Sequence, residues 1–102
     1  MGNPTLEIIR EILKGFEYDR CLLYGSQARG DATPGSDYDL MIIIHREMSI
    51  PDRMTMATHI RKLLALKFIN ADVVVKPASE VESHRNFAGS LIRNVMLEGV
   101  SI

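Results

Sequence analysis

The sequence predicts a mixed α/β (α+β) domain, a small mixed β-sheet flanked by helices in the order αβαβαβα. Three observations lead there. Apolar residues recur at helical spacing near both ends and in the middle of the chain. Short apolar runs bounded by Gly and Pro separate those stretches. One run, Leu40-Met41-Ile42-Ile43-Ile44, is unbroken, as a central strand covered on both faces would be.

Asn3 can cap a first helix with Pro4 at its first position. Leu6, Ile9, Ile12, Leu13 and Phe16 share one face of that helix, and Gly15 marks its end. Arg20 to Tyr24 is a short apolar strand stopped by Gly25. Ser26 to Arg29 fits one or two helical turns, and Asp31 to Ser36 is a loop that turns at Pro34-Gly35. The second strand runs from Asp37 to His45. Ile50-Pro51-Asp52 opens a helix reaching Phe68, with Met56, Ile60, Leu63, Leu64 and Lys67 giving its amphipathic pattern. Asp72 to Lys76 is the third strand, ended by Pro77. Ser79 and Glu82 read as a capping box for one last helix ending near Gly99. Val100-Ser101-Ile102 is a short edge strand or a frayed tail. The link through Ser26–Ser36 is tight for a parallel crossover, which favours a mixed sheet over a fully parallel one.

At 102 residues the chain is expected to form one domain spanning 1–102, and 46% apolar residues supply its core. A formal charge of −1 and a pI near 6.3 give no general basic footprint, which argues against strong direct nucleic-acid binding. Cys21 is the only cysteine, so an internal disulfide and a cysteine-rich zinc site are both excluded. No apolar stretch approaches the ~20 residues that span a bilayer. The start lacks a basic region followed by an apolar run, so no signal peptide is expected. Met1-Gly2 is similar to an N-myristoylation start, but Leu6 stands where Ser or Thr is required. These features predict a cytoplasmic protein with no membrane contact.

Chemistry concentrates between Tyr24 and Leu40. Asp37 and Asp39 are two apart, so on a strand both side chains leave one face while Tyr38 leaves the other. Side by side and next to a dry isoleucine run, two ionised carboxylates are costly unless a cation compensates. Two Mg2+ ions about 3.5–4 Å apart, shared with nucleotide phosphates, would do so. Asp72 opens an otherwise apolar strand, and a place beside the second strand would complete a three-carboxylate cluster. An isolated Asp-x-Asp is more often a solvated turn former. Here the Gly25-Ser26 turn at a fixed offset and Asp72 weigh the other way. Gly25 lets backbone approach a phosphate, the following helix start offers free N–H groups, and Ser26 adds a hydroxyl. Arg29, on the same short helix, can pair with phosphate or with the acidic cluster. Gly25-x4-Gly30 imitates a P-loop, but Asp31 and Ala32 occupy its Lys and Ser/Thr positions, so that reading fails.

Gly25-Ser26, ten intervening residues, Asp37-x-Asp39 and a later Asp72 together resemble the DNA polymerase β-like nucleotidyltransferase superfamily. The run from Tyr24 to Leu40 resembles its minimal nucleotidyltransferase branch, whose members act as antitoxins beside HEPN-type toxins. The resemblance implies a polymerase β-like nucleotidyltransferase core. It implies that Gly25 and Ser26 bind the triphosphate, that Asp37 and Asp39 hold two Mg2+ ions, and that Asp72 binds the catalytic metal and helps deprotonate the acceptor. It further implies transfer of AMP from ATP to a tyrosine hydroxyl of a HEPN ribonuclease partner, within a hetero-oligomer. An RNA or small-molecule acceptor, or an antitoxin that acts by binding alone, are the alternatives. About 25 residues follow the third strand, too few for a separate acceptor-binding domain. The acceptor is therefore expected on another protein.

The remaining candidates read as structural. His45, His59 and His84 lack a common metal spacing, and His45 fits a surface strand end. Met48, Met54 and Met56 suit local packing, with a Met-rich surface for a partner as the alternative. Arg46, Arg53, Arg61, Lys62 and Lys67 give the third helix a basic side, solvated or bound to an acidic partner. Lys76 is expected to be solvated, and Cys21 to be a small core residue.

Overall fold

The computed structural model describes residues 3–102. Met1 and Gly2, and with them the acylation-like start, lie outside the described residues. Helix α1 (Pro4–Leu13) begins as its sequence dictates, with Asn3 Oδ1 accepting from the N–H groups of Thr5 at 2.9 Å and Leu6 at 3.3 Å. Then follow β1 (Arg20–Tyr24), α2 (Ser26–Arg29), β2 (Tyr38–Ile44), α3 (Ile50–Ala65), β3 (Ala71–Pro77), α4 (Ala78–His84), α5 (Leu91–Glu98) and β4 (Val100–Ser101).

The strands form one mixed sheet in the order β3-β2-β1-β4. β1 pairs antiparallel with both β2 and β4, and β2 pairs parallel with β3. The crossover that a parallel pair needs is α3, capped by Ser49, whose Oγ accepts from Asp52 N–H at 3.2 Å. β2 is interior, as its apolar run predicts, and Leu40 to Ile44 are all buried. Because side chains alternate across a strand, the run feeds two cores. Leu40, Ile42 and Ile44 join Leu23, Val73 and Val75 beneath Ile9 and Leu13 of α1 and Ile60 and Leu64 of α3. Met41 and Ile43 join Leu22 on the other face, against Val81 of α4 and Ile92 and Val95 of α5.

Three sequence expectations need correction. The third helix stops at Ala65 rather than Phe68. Phe68 adopts φ +61°, and the Lys67, Phe68 and Ile69 N–H groups close the turn on Leu64 and Ala65 carbonyls at 2.9–3.0 Å. That turn buries Ile69 and leaves Phe68 97% exposed. The single last helix is two, α4 and α5, because Gly89 takes φ +79° and Ser90 starts a new helix. Ser90 Oγ accepts from Arg93 N–H at 3.0 Å and donates to His84 O at 3.2 Å. The Ser79–Glu82 capping box does not form: α4 starts directly after Pro77, which places Ser79 inside its first turn, where the hydroxyl donates to Glu47. The chain beyond Gly99 resolves to the edge-strand alternative, paired with Leu22 and Leu23. The element order is thus αβαβαβααβ.

Ile42 is fully buried on the interior strand. Ile42→Ala should lower unfolding free energy by about 2–5 kcal/mol in a urea titration, with the m-value unchanged.

Candidate functional site

The polar end of the sheet lies where β1 finishes and β2 and β3 begin. Registry fixes its composition: Tyr24 is opposite Asp39 across the antiparallel pair, and Asp39 is opposite Asp72 across the parallel pair. Residues opposite one another share a face, so Tyr24, Asp39 and Asp72 form a row across three strands. The row lies on the face of Leu22 and Met41, towards α4 and α5, and away from the Leu23–Leu40–Val73 core. Asp37 precedes the first residue of β2 and is exposed, as is Asp72, whereas Asp39 is half-buried.

Asp39 is the pivot. A Cβ built on Gly25 would lie 3.2 Å from Asp39 Cγ and still closer to Oδ2. Gly25 also has φ +73°, a backbone conformation that L side chains rarely adopt. Glycine is therefore required there twice over. Burial, then the charges of Asp72 and Asp37, hold the Asp39 carboxyl above its usual range, partly offset by Arg29. The Tyr24 phenol is pushed up to about 12 by burial and by Asp39 and Asp72, so it stays protonated and available as a donor.

Beyond Gly25, α2 is one short turn, with Ala28 and Arg29 N–H groups on Gly25 O at 3.1 and 3.0 Å and Gly30 N–H on Ser26 O at 3.0 Å. Four residues build little macrodipole, so this turn offers an anion its first N–H groups and the Ser26 hydroxyl rather than a helix field. Gln27 Nε2 donates to Ser36 O at 3.2 Å and so ties α2 to the loop that delivers Asp37. Ser36 Oγ accepts from Thr33 N–H at 3.0 Å, and Tyr38 N–H bonds Asn70 O at 2.9 Å, joining the starts of β2 and β3.

Arg29 lies near the site, but its ion pairs run to Asp31 (Nε–Oδ2 3.2 Å) and Glu98 (Nη1–Oε1 3.5 Å) rather than to Asp37, Asp39 or Asp72. The same Glu98 oxygen accepts from Gly25 N–H at 3.4 Å. A carboxylate from the end of α5 thus sits on the two groups expected to hold phosphate. Sequence reasoning missed Glu98, Tyr24 and Gln27. A strand-end tyrosine directly before Gly25-Ser26 was the available signal for Tyr24; nothing local marks Glu98, which the chain brings back across the sheet.

The donor set fits a hard divalent cation. All candidate ligands are carboxylate oxygens, and the Asp39 side chain carries like-charged neighbours and no hydrogen bond among the described residues. Among those residues no three acidic, histidine or cysteine side chains stand close enough to hold one ion, so the three-carboxylate cluster expected from the sequence is not closed. Mg2+ favours that arrangement, taking one or two carboxylates and completing its shell with water and phosphate. Elsewhere the histidine and cysteine readings stand: His45 is exposed beside Asp19, His59 packs edge-on against Phe16, and Cys21 is buried with its thiol pushed up to about 12, whereas Met54 is exposed rather than packed. Lys76 and Arg53 are corrections, since Glu80 holds them at 3.0 and 2.9 Å rather than leaving them solvated, and Arg46 and Lys67 fall outside α3.

A carboxyl whose folded pKa is raised contributes stability that is complete below its unfolded value near 4 and is lost as pH rises through the folded value. Ionised Asp39 therefore destabilises the fold at neutral pH. Asp39→Asn should melt above the parent at pH 7, and thermal scans should show the gap closing as pH falls below about 4.

The sequence profile of the Polymerase beta, Nucleotidyltransferase family matches residues 7–100. No curated protein is a match. Among solved structures, a Sulfolobus solfataricus protein described provisionally as a nucleotidyltransferase is 23% identical with a TM-score of 0.61, over 99% of this chain and 87% of its own. A toxin–antitoxin structure with AMP-PNP gives 18% identity and a TM-score of 0.62, over 93% of this chain and 69% of that one. A tri-AMPylated Shewanella oneidensis HEPN toxin in complex with its MNT antitoxin gives 15% and 0.53, over 95% and 70%. At these identities the likeness concerns the fold. The profile spans nearly the whole chain, through Gly25-Ser26, Asp37, Asp39 and Asp72, and on that match the chain belongs to the polymerase beta nucleotidyltransferase family.

Proposed function

We propose that residues 1–102 act as one minimal nucleotidyltransferase domain in the cytoplasm, an antitoxin that transfers AMP from ATP to a tyrosine hydroxyl of a cognate HEPN-type toxin. The observation that carries the reading is Asp39 seated against Gly25 with Asp72 in register beside it. Support for the acceptor comes from the fold shared with antitoxins in toxin–antitoxin complexes, one holding AMP-PNP and one with a tri-AMPylated HEPN toxin.

In this reading the Gly25-Ser26 turn and the Ser26 hydroxyl hold the triphosphate, with Arg29 adding charge once released from Glu98. Asp37, Asp39 and Asp72 would hold the two Mg2+ ions, which would neutralise the carboxylates and the phosphate charge. The acceptor oxygen bonds to the α-phosphorus, the bond to the bridging oxygen of pyrophosphate breaks, and Asp72 takes the acceptor proton. Gln27 fixes the Asp37 loop, and the Gly25 cradle keeps Asp39 and the phosphates in line.

The test combines the chain, Mg2+, ATP labelled at the α-phosphate and the protein encoded by the neighbouring gene. Label should appear on a tyrosine of that protein, and Asp37→Asn or Asp39→Asn should cut the rate to below roughly one-thousandth. Neutralisation undiminished in both variants would replace modification with binding alone, and label on RNA or a small molecule would replace the acceptor. Glu98→Gln keeps an acceptor oxygen but removes the competing charge. Calorimetry with a non-hydrolysable ATP analogue should show it binding roughly three- to tenfold more tightly than the parent.

A further inference from the structure

β3 is an edge strand, and its outer side carries no backbone hydrogen bond among the described residues. Along that side runs a groove of about 330 Å3, walled by Ile50, Met54 and Arg61 of α3 and floored by Val73, Val74 and Val75. Consecutive strand residues face opposite ways, so a groove lined by three in a row meets the strand from its side, where the free N–H and C=O groups point. Ile50 and Met54 are 65% and 64% exposed, an apolar wall facing solvent.

The charge of the groove is positive. Its one acid, Glu80, is already shared by Arg53 at 2.9 Å and Lys76 at 3.0 Å. Arg61 has only the Thr58 hydroxyl, at 2.9 Å, among the described residues. A second copy of this chain fits poorly. Two-fold pairing of β3 strands would set this positive groove against an identical one, like charge against like.

We propose that the outer edge of β3 docks an extended acidic segment of another protein, which adds to the sheet as a further strand. Its apolar side chains lie against Ile50 and Met54, and a carboxylate pairs with Arg61. This does not depend on nucleotidyl transfer, since a chain unable to transfer nucleotide would bind the segment equally.

The probe is a displayed library of random ten-residue peptides selected against the full chain. Enriched peptides should alternate apolar residues with Asp or Glu and protect the amides of residues 71–77 from hydrogen exchange. They should bind roughly tenfold more weakly to Arg61→Glu, with no loss on Asp39→Asn. Circular dichroism and a urea titration confirm that Arg61→Glu is folded, and Arg61→Lys, which keeps the charge, should retain most of the binding. No enrichment, peptides with helical apolar spacing, basic peptides, or unprotected 71–77 amides would each overturn the proposal. So would a dimer in sedimentation equilibrium that Arg61→Glu dissolves, which would assign the edge to a second copy.

Discussion

β2 is paired on both sides, and a slip of one residue on either side would turn Asp39 into the apolar core and Leu40 out of it. The whole polar end rests on that register. It places Tyr24 and Asp72 beside Asp39, sends Leu40, Ile42 and Ile44 beneath α1 and α3, and leaves Met41 and Ile43 for α4 and α5. Neither core survives a shifted register, so the same packing that stabilises the sheet also fixes the carboxylate row.

The row itself opposes folding. Asp39 feels the charges of Asp72 and Asp37, is half-buried with no side-chain hydrogen bond among the described residues, and a glycine is held at positive φ to admit it. A fold tolerates such a site when the rest of its sequence is locally consistent, and here it is: helix starts are capped at Asn3, Ser49 and Ser90, and the central strand is apolar throughout. Glu98 adds a second opposing contact. Its negative charge sits on the Gly25 amide and Arg29, so the anion-binding groups are partly satisfied from within.

Most of the fold was legible because its signals are local. Asn3-Pro4, the Leu40–Ile44 run and the Pro77 stop each act within a few residues, and each element they predict is present. The site aspartates were legible for a related reason: polar residues at the mouths of apolar strands stand out. The errors lie where a local signal competed with a tertiary one. Ser79–Glu82 matches a capping pattern, yet Pro77 starts the helix earlier and Glu47 takes the hydroxyl. Gly89-Ser90 marks the break between α4 and α5, but the apolar spacing runs across it. Glu98 and the groove beside β3 depend on distant segments meeting, which spacing along the chain does not encode.

The parallel pairing of β2 with β3 has a consequence for the order of folding. β1 and β2 join through a short connection, and their pairing alone sets Tyr24 against Asp39. Asp72 arrives only after the whole of α3 has crossed the sheet, a long loop whose closure costs entropy before any contact repays it. The share of the electrostatic repulsion that comes from Asp72 is therefore added only when β3 docks, after β1 and β2 can pair.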